Sequence, residues 1–215
     1  MDREVKSFLD EKVALYNTPS FIEDDPISIP HLFNIKEDIE ISGFLAATIA
    51  WGNRTMIIKN AKRMMTLLDH DPYNFIIGHS PEDLSKIEGF VHRTFNNEDF
   101  IYFIRSLKNI YTKHGGLEAI FEKYQEKESL QNAIYHLKKV FFEINHPLRT
   151  TKHISDPRSK SAAKRINMFL RWMVRKDEKG VDFGLWQNIT PSKLSCPLDV
   201  HSGNVARKLK LLKRK

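Results

Sequence analysis

The chain has 215 residues, 41% of them hydrophobic and 28% charged, enough to bury one substantial core or two small lobes. Its single cysteine, Cys196, excludes an internal disulfide framework and any all-cysteine zinc or iron–sulfur site within the chain. The net charge of +7 is unevenly spread: residues 1–148 hold 17 Lys and Arg against 22 Asp and Glu, whereas residues 149–215 hold 17 against 5, a local balance of +12. Such concentration is the footprint of a phosphate-backbone binder, or of a basic tail that only keeps the protein soluble.

Apolar residues recur at helical spacing nearly throughout, and no stretch sustains the alternation of a half-buried strand, which predicts an all-α protein. The first helix, over 2–16, opens with MDREVKSFLDEK, charged from its second residue and without the apolar stretch of a signal peptide, so a cytoplasmic protein is expected. After the connector FIEDDPISIP, from Phe21, comes a helix over 36–51. It holds the longest apolar run, ISGFLAATIAWG from Ile41, far short of the roughly 20 residues that span a bilayer. That run reads as a buried helix, and no membrane partner is expected.

Further helices are predicted over 54–69, 97–113, 116–126, 129–144, 160–175 and 203–212, with shorter turns at 72–77 and 81–88. Ser80-Pro81 with Asp83 supplies a cap, a first-turn proline and an early acid, and Asn97 precedes the acidic pair Glu98-Asp99. Gly115-Gly116 separates two helices. The connector HPLRTTKHISDP, from His146, coincides with the change in charge and divides an N-terminal helical lobe, 1–148, from a basic C-terminal segment, 149–215.

In SKSAAKRINMFLRWMVRKD, from Ser159, helical geometry puts Ala162, Ile166, Phe169, Leu170 and Met173 on one face. Lys160, Lys164, Arg171 and Arg175 fall within about 60° of one another on the other, a stripe able to follow a phosphate backbone or simply a solvated face. Lys164 sits near the positive end of this helix beside Lys160 and Arg165. Neighbouring positive charge disfavours its ammonium and raises the fraction of nucleophilic amine, which suits Schiff-base chemistry. A phosphate contact or an ordinary surface charge accounts for the residue equally well. Near the end of the chain, CPLDVHSGNVARKL starts a basic helix in which Asp199 or Ser202 is placed to cap the first turn. Local evidence favours the cap; catalysis by Asp199 requires a second group opposite it.

The run KRINMFLRWMVRKD, then VDFGLW, then PLDVHSGNVARKL resembles the defining block of a bacterial family of unknown function, along the whole chain. More distantly, the sequence is similar to helix-hairpin-helix DNA glycosylases, including endonuclease III and the archaeal 8-oxoguanine DNA glycosylase. These carry a lysine opening one helix and later a Pro-x-Asp before a basic helix. Lys164 and the PLD at Pro197 to Asp199 match, with an interval of 35 residues nearer the archaeal spacing. EISGFLAATIAWGNRTMIIKNAKRM, from Glu40, resembles the class's apolar helix, polar loop and next helix. Two features depart from the pattern. DPRSKSAAK lacks the Gly-x-Gly of the usual hairpin, so either Ser159 and Ser161 with Lys160 substitute or this is not a working hairpin, and related sequences continue beyond KLKLLKRK, so a shortened chain is expected.

The resemblance implies a two-lobed helical bundle that extrudes a damaged nucleotide from double-stranded DNA. Lys164 would attack the sugar carbon and expel the base as an imine forms, with Asp199 helping to deprotonate the amine and stabilise the cationic sugar. Trp51, Gly52, Asn53 and Arg54 would enter the duplex from the minor groove, and Lys160, Arg165, Arg171, Arg175, His201 and Arg207 would contact DNA. No metal or cofactor is required. One alternative is a non-catalytic nucleic-acid-binding protein on the same fold, with Asp199 merely a cap. Another is a metal-dependent phosphohydrolase built on His70-Asp71 and some of the nine histidines. Trp172 and Trp186 are expected in packing, and Arg165, Asn167 and Asp182 as polar site residues or ordinary salt-bridge partners.

Overall fold

The structure, a computed structural model, describes residues 2–213; of the basic segment, Arg214 and Lys215 lie outside the described residues. α1 (Arg3–Tyr16) and the one-turn α2 (Ser20–Glu23) lead into 3-10 turns at Pro26–Ser28 and Pro30–Leu32. Then come α3 (Lys36–Thr48), α4 (Arg54–Leu67), α5 (Pro72–Gly78), α6 (Pro81–Ser85), the short strands β1 (Val91–His92) and β2 (Phe95–Asn96), α7 (Asn97–Lys113), α8 (Leu117–Tyr124) and α9 (Gln131–Phe141). After 3-10 turns at Leu148–His153 and Pro157–Ser159 come α10 (Lys164–Val174), a 3-10 turn at Pro191–Lys193 and α11 (Val200–Lys208). Helix makes up 62% and strand 2%, so the chain is mostly helical as its periodicity predicts. The exception is an antiparallel hairpin pairing Val91 with Asn96, too short for alternation to register.

Several boundaries move for identifiable reasons. α6 is capped by the expected Ser80, whose hydroxyl and the Asp83 carboxylate form a reciprocal capping box. Asn96 rather than Asn97 caps α7, because its side-chain oxygen reaches the Asp99 N–H at 3.2 Å while Asp99 returns a bond to the Asn96 N–H. α11 starts at Val200, earlier than predicted, because Asp199 takes the cap position and Ser202 completes its box from inside the helix.

α3 lies at the centre, buried from Asp38 to Thr48. A helix apolar on every side belongs inside a packed core, and α3 has partners all round. α10 packs against it where Gly43 lacks a side chain: a Cβ there would stand 3.4 Å from Met173 and 3.6 Å from Phe169. Phe44 meets Phe103, Phe141 and Phe169, so residues before and after position 148 share one core.

Two buried carboxylates tie segments together across this core. Glu40 of α3 accepts 2.7 Å hydrogen bonds from the Tyr111 hydroxyl and the Trp186 indole. Asp99 of α7 accepts from the Thr150 hydroxyl at 2.7 Å and Arg149 at 2.7 Å, with His153 Nε2 3.2 Å away. Burial by itself would raise the Asp99 carboxyl, but His153, Thr150 and the Asn96 amide bring it down to about 2. The connector after His146 is therefore pinned to α7.

Candidate active site

The stretch DPRSKSAAK makes a tight turn without glycine. Asp156 accepts from the Arg158 N–H at 2.9 Å and holds the Pro157–Ser159 turn, after which Lys160 (φ 60°) and Ala163 (φ 44°) adopt left-handed backbone. Such geometry costs a residue with a Cβ roughly 1–2 kcal/mol. The Asn167 amide offsets this by donating to the carbonyls of Ala162 at 3.1 Å and Ala163 at 3.2 Å, while the Ala163 N–H reaches the Ser161 hydroxyl at 3.2 Å. α10 consequently begins at Lys164, not at 160, and Lys160 stands on the turn that precedes it.

That boundary breaks the expected four-cation stripe, and the ends of α10 break it further. Arg171 Nε lies 3.1 Å from the buried Asp182 carboxylate, which also accepts from Arg175 Nε. Arg175 additionally donates to Asn17 at 2.6 Å and to Asp177 at 2.8 Å. The two arginines thus clamp the loop after α10 and the end of α1. Arg165 turns inward, donating to the carbonyls of Thr48 and His153 with its guanidinium 4.7 Å from the Trp51 ring centroid. Burial lowers its pKa. Lys160 and Lys164 remain exposed.

The loop after α3 divides its residues between jobs. Trp51 is half-buried, edge-on to His92 at 5.1 Å and stacked on His153 at 6.0 Å. Gly52 has φ 102°, and a Cβ there would meet the Arg93 guanidinium at 2.9 Å. Asn53 caps α4 by accepting from the Met56 N–H at 3.2 Å, so its side chain is engaged in the helix it starts. Arg54 is exposed on the first turn.

Two depressions meet at Lys164. One, of about 420 Å³, is lined by Lys164, Trp51, Arg165, Trp172, Ser161 and Asp25. The other, an open cleft of about 600 Å³, is lined by Lys164, Asp199, Asn204 and Arg207. The expected pair of Lys164 and Asp199 thus borders one cleft, although no ion pair joins them among the described residues. Asp199 accepts from the Ser202 N–H at 2.7 Å and hydroxyl at 2.9 Å, and these bonds hold its carboxyl below the usual range. His201 is exposed on the first turn of α11, and the Arg207 side chain reaches Asn204 at 3.3 Å.

Sequence reasoning missed Asp25 and placed Trp172 only in packing; Trp172 is buried, yet it also walls the first cavity. The signal for Asp25 was an acid directly before Pro26, the pattern of a cap, which says nothing of a cavity formed with residues more than a hundred positions away. Among the described residues no three His, Cys, Asp or Glu side chains gather as a metal-ligating group, so the histidine-based reading has no cluster to build on. Among the described residues no helix is long and apolar enough to cross a membrane.

The profile of one family, described as a protein of unknown function (DUF2400), matches residues 25–215. The chain belongs to that family. The match takes in both depressions, from Asp25 to α11, and agrees with the expected resemblance to a family of unknown function. No curated protein and no solved structure is significantly similar to the chain.

Proposed function

We propose that the protein is a DNA-repair glycosylase of the helix-hairpin-helix class, with a lyase step, in which Lys164 is the nucleophile and Asp199 an ionised carboxylate beside it. The position of Lys164 carries the reading: an exposed amine at the first turn of a firmly packed helix, between a cavity walled by two tryptophans and a cleft that holds a carboxylate. A nucleobase extruded from duplex DNA suits the first cavity, whose volume falls within the usual range for small-ligand sites.

The neutral amine of Lys164 attacks the C1′ carbon, and the bond to the base breaks with its electron pair on the departing nitrogen. Loss of the amine proton and opening of the sugar ring leave an imine, from which loss of a C2′ proton expels the 3′ phosphate and nicks the strand. Asp199, kept ionised by its cap bonds, is a weak base and acts chiefly through its charge on the cationic sugar. Lys160 on the preceding turn, with the exposed Arg54, is placed for backbone phosphate. Arg171 and Arg175 serve the fold instead.

A non-catalytic DNA-binding protein is favoured by one observation, that Asp199 is already satisfied as a helix cap. Borohydride trapping separates the two. With duplex carrying an abasic site or a damaged base, the glycosylase reading expects a covalent adduct in the parent and none in Lys164→Gln, whereas a binding protein shifts the duplex in a gel and yields no adduct from either.

A further inference from the structure

Asp25 is a carboxylate for which the mechanism above has no use, yet it lines the cavity that would receive the extruded base. It is held there by its own turn: one oxygen accepts from the Ile27 N–H at 3.0 Å, capping Pro26–Ser28, and the adjoining Pro26 is buried beside α3 and α4. Among the described residues no other hydrogen bond and no ion pair reaches the Asp25 carboxylate. The same cavity is lined by Trp51, Trp172, Ala163 and the exposed Lys164. The cavity lining thus includes an amine and a half-buried carboxyl with one oxygen outside any hydrogen bond among the described residues.

We propose that Asp25 is the general acid that protonates the leaving base, and this rests on the reading of Lys164 as the nucleophile. As the C1′–nitrogen bond breaks, its electron pair passes to the base nitrogen, which takes the proton from the Asp25 carboxyl. The ammonium formed where Lys164 has bonded to C1′ then gives one proton back to the Asp25 carboxylate. The acid is restored, the base leaves neutral, and no co-reactant is consumed.

The environments of the two carboxyls match this division. Burial pushes the Asp25 carboxyl up, against the Ile27 N–H and the charges of Arg54 on α4 and Arg171 on α10, with Asp182 on the facing loop adding to the rise. Arg165, the other cation lining the cavity, is bound to the carbonyls of Thr48 and His153. Asp199 is exposed and shifted down by its cap bonds. Paired titratable groups whose surroundings separate them divide acid from electrostatic work. Here the carboxyl nearer the protonated range faces the site of the base, and the ionised one lies on the sugar's side of Lys164.

The test compares the full chain with Asp25→Asn, which keeps an oxygen for the Ile27 N–H, on three kinds of duplex. One carries a neutral oxidised base, one a cationic N-alkylated purine that leaves without protonation, and one a preformed abasic site with no base at all. Release of the neutral base should slow by about 10²–10⁴-fold, the usual contribution of a positioned acid. Release of the cationic purine and borohydride trapping on abasic DNA should fall far less, because no neutral base has to be protonated there and water can take the proton of the Lys164 ammonium; trapping also reports that the variant is folded. In the parent, neutral-base release should fall as pH rises through the elevated Asp25 titration, and the variant should lack that limb. Equal release by parent and variant, equal loss on all three duplexes, or a parent that traps abasic DNA but frees no base would overturn the assignment of Asp25 while leaving Lys164 standing. A parent that forms no adduct even on abasic DNA removes Lys164 as nucleophile, and the role of Asp25 falls with it.

Discussion

α10 and α11 carry the two halves of the proposed Lys–Asp pair, and they are held in opposite ways. α10 buries Ile166, Phe169, Leu170 and Met173 and closes on Gly43 of α3, while α11 buries only Gly203 and leaves Val200 74% and Val205 54% exposed. Lys164 is therefore fixed by the core, whereas Asp199 rides on a helix whose order comes chiefly from its own capping box. Burial makes position in α10; local hydrogen bonding makes it in α11. An element with so little buried area can shift at smaller cost than one seated in the core.

The contrast can be broken most severely at the contact between α10 and α3. Phe169→Ala should cost about 3–5 kcal/mol, read as a lowered denaturant midpoint with an unchanged slope. Acid acts next, on the Asp99 cluster that pins the connector leading to α10. Its folded carboxyl titrates at about 2 against an ordinary 3.8, so its stabilisation is full above about pH 4 and is lost as pH falls through about 2. The loss should be on the order of 2 kcal/mol, and Asp99→Asn should flatten stability across that window. On α11 the effects shrink. Asp199→Ala should cost roughly 0.5–2 kcal/mol while Asp199→Asn stays close to the parent, since asparagine caps nearly as well. If Asp199 works through its charge, the Asn variant should melt like the parent and still lose base release; full activity would leave Asp199 a cap. Val205→Ser, on the exposed face, should stay within about 0.5 kcal/mol, and a larger loss would show that α11 packs more firmly than its exposure indicates.

What the sequence displayed and what it hid follow the same division between local and distant causes. Helical periodicity and the Ser80 box depend on neighbours within four residues and were readable, as was a cap at the start of α11, although the sequence left it open between Asp199 and Ser202. The left-handed turn at Lys160 and Ala163 was not, because glycine is the usual sign of that backbone and here Asn167, a residue of the following helix, supplies the compensation. The pairing of Arg171 and Arg175 was hidden for a related reason: Asp182 folds back from the next loop to accept from them both. Asp25 could be read as a cap and nothing more, since its cavity exists only when the turn before α3 meets the start of α10.

The most direct test of Lys164 as nucleophile is to locate the adduct. Duplex DNA with an abasic site would be incubated with the full chain, reduced with borohydride and digested, and the cross-linked peptide mapped by mass spectrometry. The expected result is a reduced sugar adduct on Lys164 that disappears in Lys164→Gln. An adduct on another amine that survives that substitution, or none at all with duplex demonstrably bound, would contradict it.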